Sequence, residues 1–150
     1  MRVNSKPYGA IEVDERQKIN FPFGLLGFEH LKWYVLLDAA QEPFYWLQSL
    51  DDVDVAFVLI DPAFFRPDYR LDVPDDEIRE IGIQERGENI LTFAIVTIPQ
   101  KQELMTANLQ GPLLIDRTLH VGRQSISLNP NWKVRHYILD ELTQVKDEAC

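Results

Sequence analysis

Val55-Ala56-Phe57-Val58-Leu59-Ile60 is apolar at every position, and Ile90-Leu91-Thr92-Phe93-Ala94-Ile95-Val96-Thr97-Ile98 is apolar on both alternating faces apart from its threonines. A strand that buries one face alternates apolar with polar residues, so a short run without alternation reads as a strand covered on both sides. Each run ends at a strand breaker, Asp61-Pro62 after the first and Pro99 after the second. Two such strands in a short chain call for a body that closes over them, a barrel or a sandwich.

Working outward, Trp33 to Leu37 and Phe44 to Ser49 read as further strands, and Tyr8 to Val13 with Gln17 to Phe21 as a first strand pair. Pro22-Phe23-Gly24-Leu25-Leu26-Gly27 is a breaker segment whose glycines form turns. Ser125-Ile126-Ser127-Leu128 alternates and predicts an outer strand with its apolar side on the core. One short acidic helix is expected over 74–81, opened by Pro74, with Asp75, Asp76 and Glu77 at its positive end, Ile78 and Ile81 on one face and Gly82 beyond it. A weaker helical spacing, Leu139, Leu142 and Val145, runs towards a tail expected to fray. The fold class is therefore mostly β with minor α. Length and the absence of repeats or linkers predict one domain over 1–150, with a core of about 8–138 and a C-terminal tail of about 139–150.

With 45% hydrophobic and 26% charged residues the chain has the composition of an ordinary globular protein. Asp and Glu outnumber Lys and Arg 24 to 15, for a formal charge of −9. Phosphate backbones require clustered cations, so direct nucleic acid binding is not expected, and a basic partner is favoured instead. The same charge also serves solubility alone. The single cysteine, Cys150, forms no disulfide within the chain, which points to a reducing compartment. The first residues have no secretion-signal pattern, and no run approaches the roughly 20 apolar residues that span a bilayer. A cytoplasmic protein with no membrane contact is the expectation.

Chemistry is harder to find. No Ser lies in a Gly-x-Ser-x-Gly elbow, and His30, His120 and His136 have no second His or Cys at zinc spacing, so each reads as a surface or hydrogen-bonded histidine. Asp51-Asp52, Asp54, Asp75-Asp76-Glu77 and Glu85 supply carboxylates, but in settings typical of turns and solvated helix starts. Gly24-Leu25-Leu26-Gly27 lacks the Lys of a phosphate loop and the third glycine of a dinucleotide fingerprint. Tyr45, Trp46, Phe57 and Phe93 read as core rather than as base-stacking platforms. No enzyme and no cofactor are expected. The rival reading is a small flavin-binding oxidoreductase barrel with Arg117 and Arg123 at a phosphate site, and a hollow barrel for a sugar or nucleotide is a third.

Five segments in order resemble the FliW family of flagellar assembly factors. Phe21-Pro22-Phe23-Gly24-Leu25-Leu26-Gly27-Phe28-Glu29 is similar to that family's Phe-x-x-Gly-Leu-Pro-Gly-Phe element, with Leu26 in place of Pro. Pro43-Phe44-Tyr45-Trp46-Leu47-Gln48-Ser49 resembles its Pro-Phe-x-x-Leu-Gln-Ser strand, followed by Phe57 to Pro62 and Asp68-Tyr69. Thr106-Ala107-Asn108-Leu109-Gln110-Gly111-Pro112 and the apolar strand after it resemble Thr-x-Asn-Leu-x-Ala-Pro, with Gly111 for Ala and Asp116 for Asn. Arg135-His136 is similar to its closing Tyr-x-x-Arg-His, with Trp132 in the place of Tyr. The resemblance runs from about Tyr8 to Ile138.

It implies a β pseudobarrel of two packed, mostly antiparallel sheets and a protein that switches between two partners, flagellin and the translational repressor CsrA. While flagellin is unexported it occupies the factor; once exported, the freed factor captures CsrA and flagellin translation resumes. A monomer is expected. The contact surface is expected on Asp75, Asp76, Glu77 and Glu80 of the acidic helix, with Gln48, Asn108 and Gln110 as polar contacts near strand ends. The competing reading has the helix as a solvated cap and Asn108 shaping the turn before Gly111-Pro112.

Overall fold

The doubly apolar runs become β6 (Ala56–Ile60) and β7 (Ile90–Thr97), antiparallel neighbours with Val58 opposite Val96 and Ile60 opposite Ala94. The computed structural model describes residues 1–149 other than 85, 86 and 88, with side chains to 147, so Glu85 and Cys150 lie outside the described residues. The other strands are β1 (Arg2–Ser5), β2 (Gly9–Glu12), β3 (Lys18–Asn20), β4 (Trp33–Asp38), β5 (Phe44–Ser49), β8 (Thr106–Ala107), β9 (Leu113–Asp116), β10 (Val121–Gln124) and β11 (His136–Tyr137); the helices are α1 (Asp75–Arg79) and α2 (Ile138–Ala149).

Sheet pairing runs β7–β6–β5–β4–β3–β10–β9 and returns to β7, closing a ring. All its pairings are antiparallel except the short parallel contact of Val121 with Asn20 between β10 and β3. Closure depends on β7, whose first half pairs with β9 while Val96 and Thr97 pair with β8, and β11 extends β8. β1 and β2 form a separate ribbon.

Why β6 is apolar throughout is now visible. Leu59 points into the barrel among Phe21, Tyr34, Leu47, Phe93, Leu113 and Ile115, and Ile60 points outward among Phe65, Tyr69, Ala94, Trp132 and Ile138. β4 divides in the same way: Tyr34 is interior, whereas Val35 and Leu37 pack with Val3 and Val13 beneath the β1–β2 ribbon. The barrel interior is filled, with Phe21 edge-on to Tyr34 at 5.2 Å and Tyr45 edge-on to Phe93 at 5.3 Å. A hollow barrel for a sugar or nucleotide is therefore not this fold.

Two local expectations are corrected, and the helix boundaries are sharpened. The segment 8–13 does not pair with 17–21: β2 pairs with β1, because Asp14 and Gln17 form a capping box that turns the chain between β2 and β3. Ser125 to Leu128 is no ladder strand, since Ser125 N donates to Pro112 O, Ser127 N to Gln110 O and Leu128 N to Asp72 O, all in loops. Its alternation is inverted as well: Ser125 is buried, while Ile126 and Leu128 are 49% and 60% exposed. The acidic helix spans only Asp75–Arg79, and the longer helix is α2, anchored by Ile138 and Leu142 rather than by Leu139. Glu141 of α2 also accepts from Arg66 and from His136 Nδ1, whose tautomer is set by Nε2 accepting from Lys133 N.

Two buried tyrosines give the fold an alkaline limit. Burial, with a smaller push from the Asp51 charge, raises the Tyr34 hydroxyl to about 12; burial does the same for Tyr69, whose hydroxyl donates to Leu109 O at 2.9 Å. The folded chain thus holds protons that the unfolded chain releases near about pH 10. Their stabilising contribution is complete below that pH and is lost as pH rises from 10 towards 12. The Tyr34 hydroxyl has no partner among the described residues. Tyr34→Phe is therefore expected to flatten this alkaline loss and to leave stability at pH 7 unchanged or raised by up to about 1 kcal/mol. Urea titrations at pH 7 and pH 11 check both; a destabilised Tyr34→Phe at pH 7 contradicts it.

Candidate partner-binding cleft

Segments far apart in sequence meet at one open cleft of about 600 Å³, with Leu26, Phe57, Ile95, Val134 and Tyr137 among its apolar walls and Asn108, Gln124 and Arg135 among its polar ones. Its first wall is the loop 21–28. Gly24 (φ +65°) and Gly27 (φ +85°) take left-handed backbone, Gly24 N donates to Phe21 O, and Leu25 and Phe28 form an isolated bridge. The turn drives Leu25 into the core and leaves Leu26 56% exposed at the rim.

The second wall is the chain from Thr106 to Pro112. Asn108 Oδ1 accepts from Gly111 N at 2.9 Å, so this side chain does shape the turn before Pro112. Gln124 then joins the walls: its Oε1 accepts from Leu26 N at 2.9 Å and its Nε2 donates to Gly111 O at 3.0 Å. Leu109, buried beside this turn, presents its carbonyl to Tyr69. Leu26, Gln124, Gly111 and Asn108 are thus linked by hydrogen bonds that fix the cleft before anything enters it.

The expected contact residues fare differently. Asn108 lines the cleft. Gln110 is half-buried beside it, its N–H donating to Lys133 O and its carbonyl accepting from Ser127 N. Gln48 has no exposed surface: Oε1 accepts from Lys6 N at 2.7 Å, and Nε2 donates to Ser49 O and Val53 O. It cannot touch a partner in this state, because the Pro-Phe-x-x-Leu-Gln-Ser strand uses it to join β5 to the β1–β2 ribbon.

On α1 the carboxylates are largely engaged within the chain. Arg123 pairs with Glu80 at 3.0 Å and with Glu77 at 3.5 Å while its guanidinium lies over the Phe23 ring, and Asp76 pairs with Arg79. Ile78 and Ile81 meanwhile pin the helix to Leu114 and Val121. These ion pairs also engage Arg123, one of the two cations considered for a flavin phosphate. Gln124, Val134 and Tyr137 carried no sequence signal; the pairing of β9 with β10 brings Gln124 here and that of β8 with β11 brings Tyr137, with Val134 in the chain just before β11. Among the described residues no cluster of three or more His, Cys, Asp or Glu could hold a metal ion, and no helix is long and apolar enough to cross a membrane.

Fold and cleft together define a small closed β-barrel with a filled interior and a preformed cleft walled by hydrogen-bonded loops. The chain belongs to the FliW family: the family's sequence model, described as FliW protein, matches residues 2–138. It is 43% identical over 142 residues to the flagellar assembly factor FliW of Treponema denticola, covering 95% of this chain and 96% of that protein. It is 44% identical over 142 residues to the flagellar assembly factor FliW of Leptospira interrogans serogroup Icterohaemorrhagiae serovar Lai, covering 93% and 94%. A crystal structure of the flagellar assembly factor FliW matches with a TM-score of 0.81 at 33% identity, over 92% of this chain and 96% of that one.

Proposed function

We propose that this protein works without catalysis as a cytoplasmic switch between two protein partners. It holds flagellin and, when free of it, binds and antagonises CsrA, so that flagellin translation follows flagellin export. The observation that carries this reading is the convergence of family motif segments, from Leu25-Leu26 to Arg135, on one preformed cleft with an apolar rim. An amphipathic helix from a flagellin terminus buries its apolar face in such a groove, with Asn108, Gln124 and Arg135 as polar contacts there. The charge of −9 favours encounter with a basic RNA-binding repressor. With Glu77, Glu80 and Asp76 already ion-paired, the acidic helix contributes long-range attraction more than a docking contact.

A switch of this kind needs two mutually exclusive complexes of comparable strength, so that free flagellin redistributes the factor. Flagellin titrated into the preformed complex with CsrA is expected to release all the CsrA; a stable ternary complex rejects exclusion. Leu26→Asp, which puts a charge on the exposed rim, is expected to weaken flagellin binding at least tenfold, about 1.4 kcal/mol, without changing the melting temperature. Unchanged affinity removes the cleft as the flagellin site.

A further inference from the structure

We infer that a second surface, on the outside of the barrel around the turn 39–43, docks a basic amphipathic segment of the CsrA-type partner, an inference that rests on the partner switch proposed above. Two adjoining cavities make it. One is an apolar pit of about 330 Å³ with Tyr8, Phe44, Trp46, Val58, Ile98 and Met105 among its walls. The other is a trough of about 880 Å³ that combines Asp38, Glu42 and Asp61 with Phe44, Tyr45 and Phe64. Ala39 and Phe44 are common to both.

The pit exists because Trp46 and Val58, direct partners across β5 and β6, both face outward where the turn 39–43 and the 98–105 segment rise on either side. The walls are preformed. Tyr8 Oη accepts from Ala40 N at 2.9 Å and donates to Asp38 O at 3.3 Å, and Phe44 N donates to Gln41 O. At 330 Å³ the pit lies at the low end of ligand cavities, room for one or two large side chains rather than a domain.

Charge selects the occupant. No Lys, Arg or His lines either cavity. Asp38, Glu42 and Asp61 enter no ion pair among the described residues, so the three carboxylates of the trough are left with no cation of the chain beside them, unlike Glu77 and Glu80, which Arg123 engages at the motif-side helix. An apolar side chain seated in the pit places flanking Lys or Arg over the trough, where attraction is complementary and salt-sensitive. Asp61 also accepts from Ala63 N, so its carboxylate is held in place.

This surface is separate from the motif cleft but close to it. Phe57 lines the cleft and Asp61 the trough, four residues apart, or about 13 Å along a strand. That is less than the width of even a small folded domain, whose radius of gyration alone is about 13 Å for 100 residues. With both surfaces drawing on β6, the inference extends to exclusion without a shared contact, which the release of CsrA by flagellin tests.

The test measures CsrA and flagellin binding by calorimetry in low and moderate salt, with folding of each variant checked by its melting temperature. Asp38→Lys with Glu42→Lys is expected to weaken CsrA at least tenfold and to flatten its salt dependence, with flagellin affinity within twofold of wild type. Ile98→Gln at the pit rim is expected to weaken CsrA about fivefold. Asp140→Lys with Asp147→Lys, the same charge change on exposed positions of α2, is expected to stay within twofold at moderate salt. If the trough variant does not fold, Asp61→Asn, which keeps the acceptor for Ala63, is expected to weaken CsrA about threefold. Trough and pit variants that bind CsrA like wild type overturn this surface and leave the switch standing. A wild-type chain that binds no CsrA overturns the CsrA half of the switch, and this surface with it.

Discussion

Gly24→Ala is expected to destabilise the fold by about 3 kcal/mol or more, while Gly27→Ala, three residues on and also left-handed, costs only about 1 kcal/mol. Both positions have positive φ, +65° and +85°, so both pay the strain of a Cβ in left-handed backbone. They differ in space. A Cβ on Gly24 would lie 2.6 Å from Glu29 Cα and 2.7 Å from Phe28 O, both backbone atoms; around Gly27 nothing lies within 4 Å. Relief at Gly24 means opening the loop against Phe28 and Glu29, which withdraws Leu25 from the core and Leu26 N from Gln124. Urea titration of the two variants measures the difference, and equal losses would falsify the close approach at Gly24. The cleft reports it independently: a loop that has let go of Gln124 also binds flagellin more weakly in whatever fraction remains folded.

The contrast within one motif shows what a sequence discloses. Both glycines of Gly24-Leu25-Leu26-Gly27 read correctly as turn formers, but only the packing of Glu29 beneath the first one separates their costs. β6 and β7 were legible because burial on two faces leaves runs without alternation, unbroken in β6 and interrupted only by threonines in β7, and Leu59 and Ile60 do point into different cores. Ser125 to Leu128 shows the opposite case. Periodicity fixes that two faces differ but not which one is inside, and here the serine is buried because its backbone bonds to Pro112 where no ladder forms. β1 was invisible since its pattern holds only Val3 and Ser5 inward, a signal too short to separate from an irregular start. The cleft itself was half legible. Its motif residues could be quoted in order, yet Gln124 and Tyr137, which complete its wall, come from strand pairings with no local signature.

Gln48→Leu is expected to cost about 3 kcal/mol of stability, an effect that a partner-contact residue would not have. The side chain is fully buried and satisfies groups from two other parts of the chain: Lys6 N from the β1–β2 ribbon, and the carbonyls of Ser49 and Val53 at the β5–β6 turn. Leucine keeps most of the volume and removes every one of these bonds. What is left is a buried donor and buried acceptors without partners, and each such group costs about 1–3 kcal/mol. Glutamine is the residue type that can do this, because one amide supplies an acceptor for the donor on one side and donors for the carbonyls on the other. Gln48→Glu should fail as badly, since a carboxylate offers the Lys6 amide an acceptor but has nothing to give the two carbonyls and would bring a buried charge. Chemical denaturation reads the loss, and binding separates its meaning. If Gln48 acts only through the fold, flagellin and CsrA affinities under conditions where Gln48→Leu remains folded stay within twofold of wild type. A tenfold loss of either affinity with unchanged stability would instead make Gln48 a contact residue, and would require the β1–β2 ribbon to lift away from β5 when that partner binds.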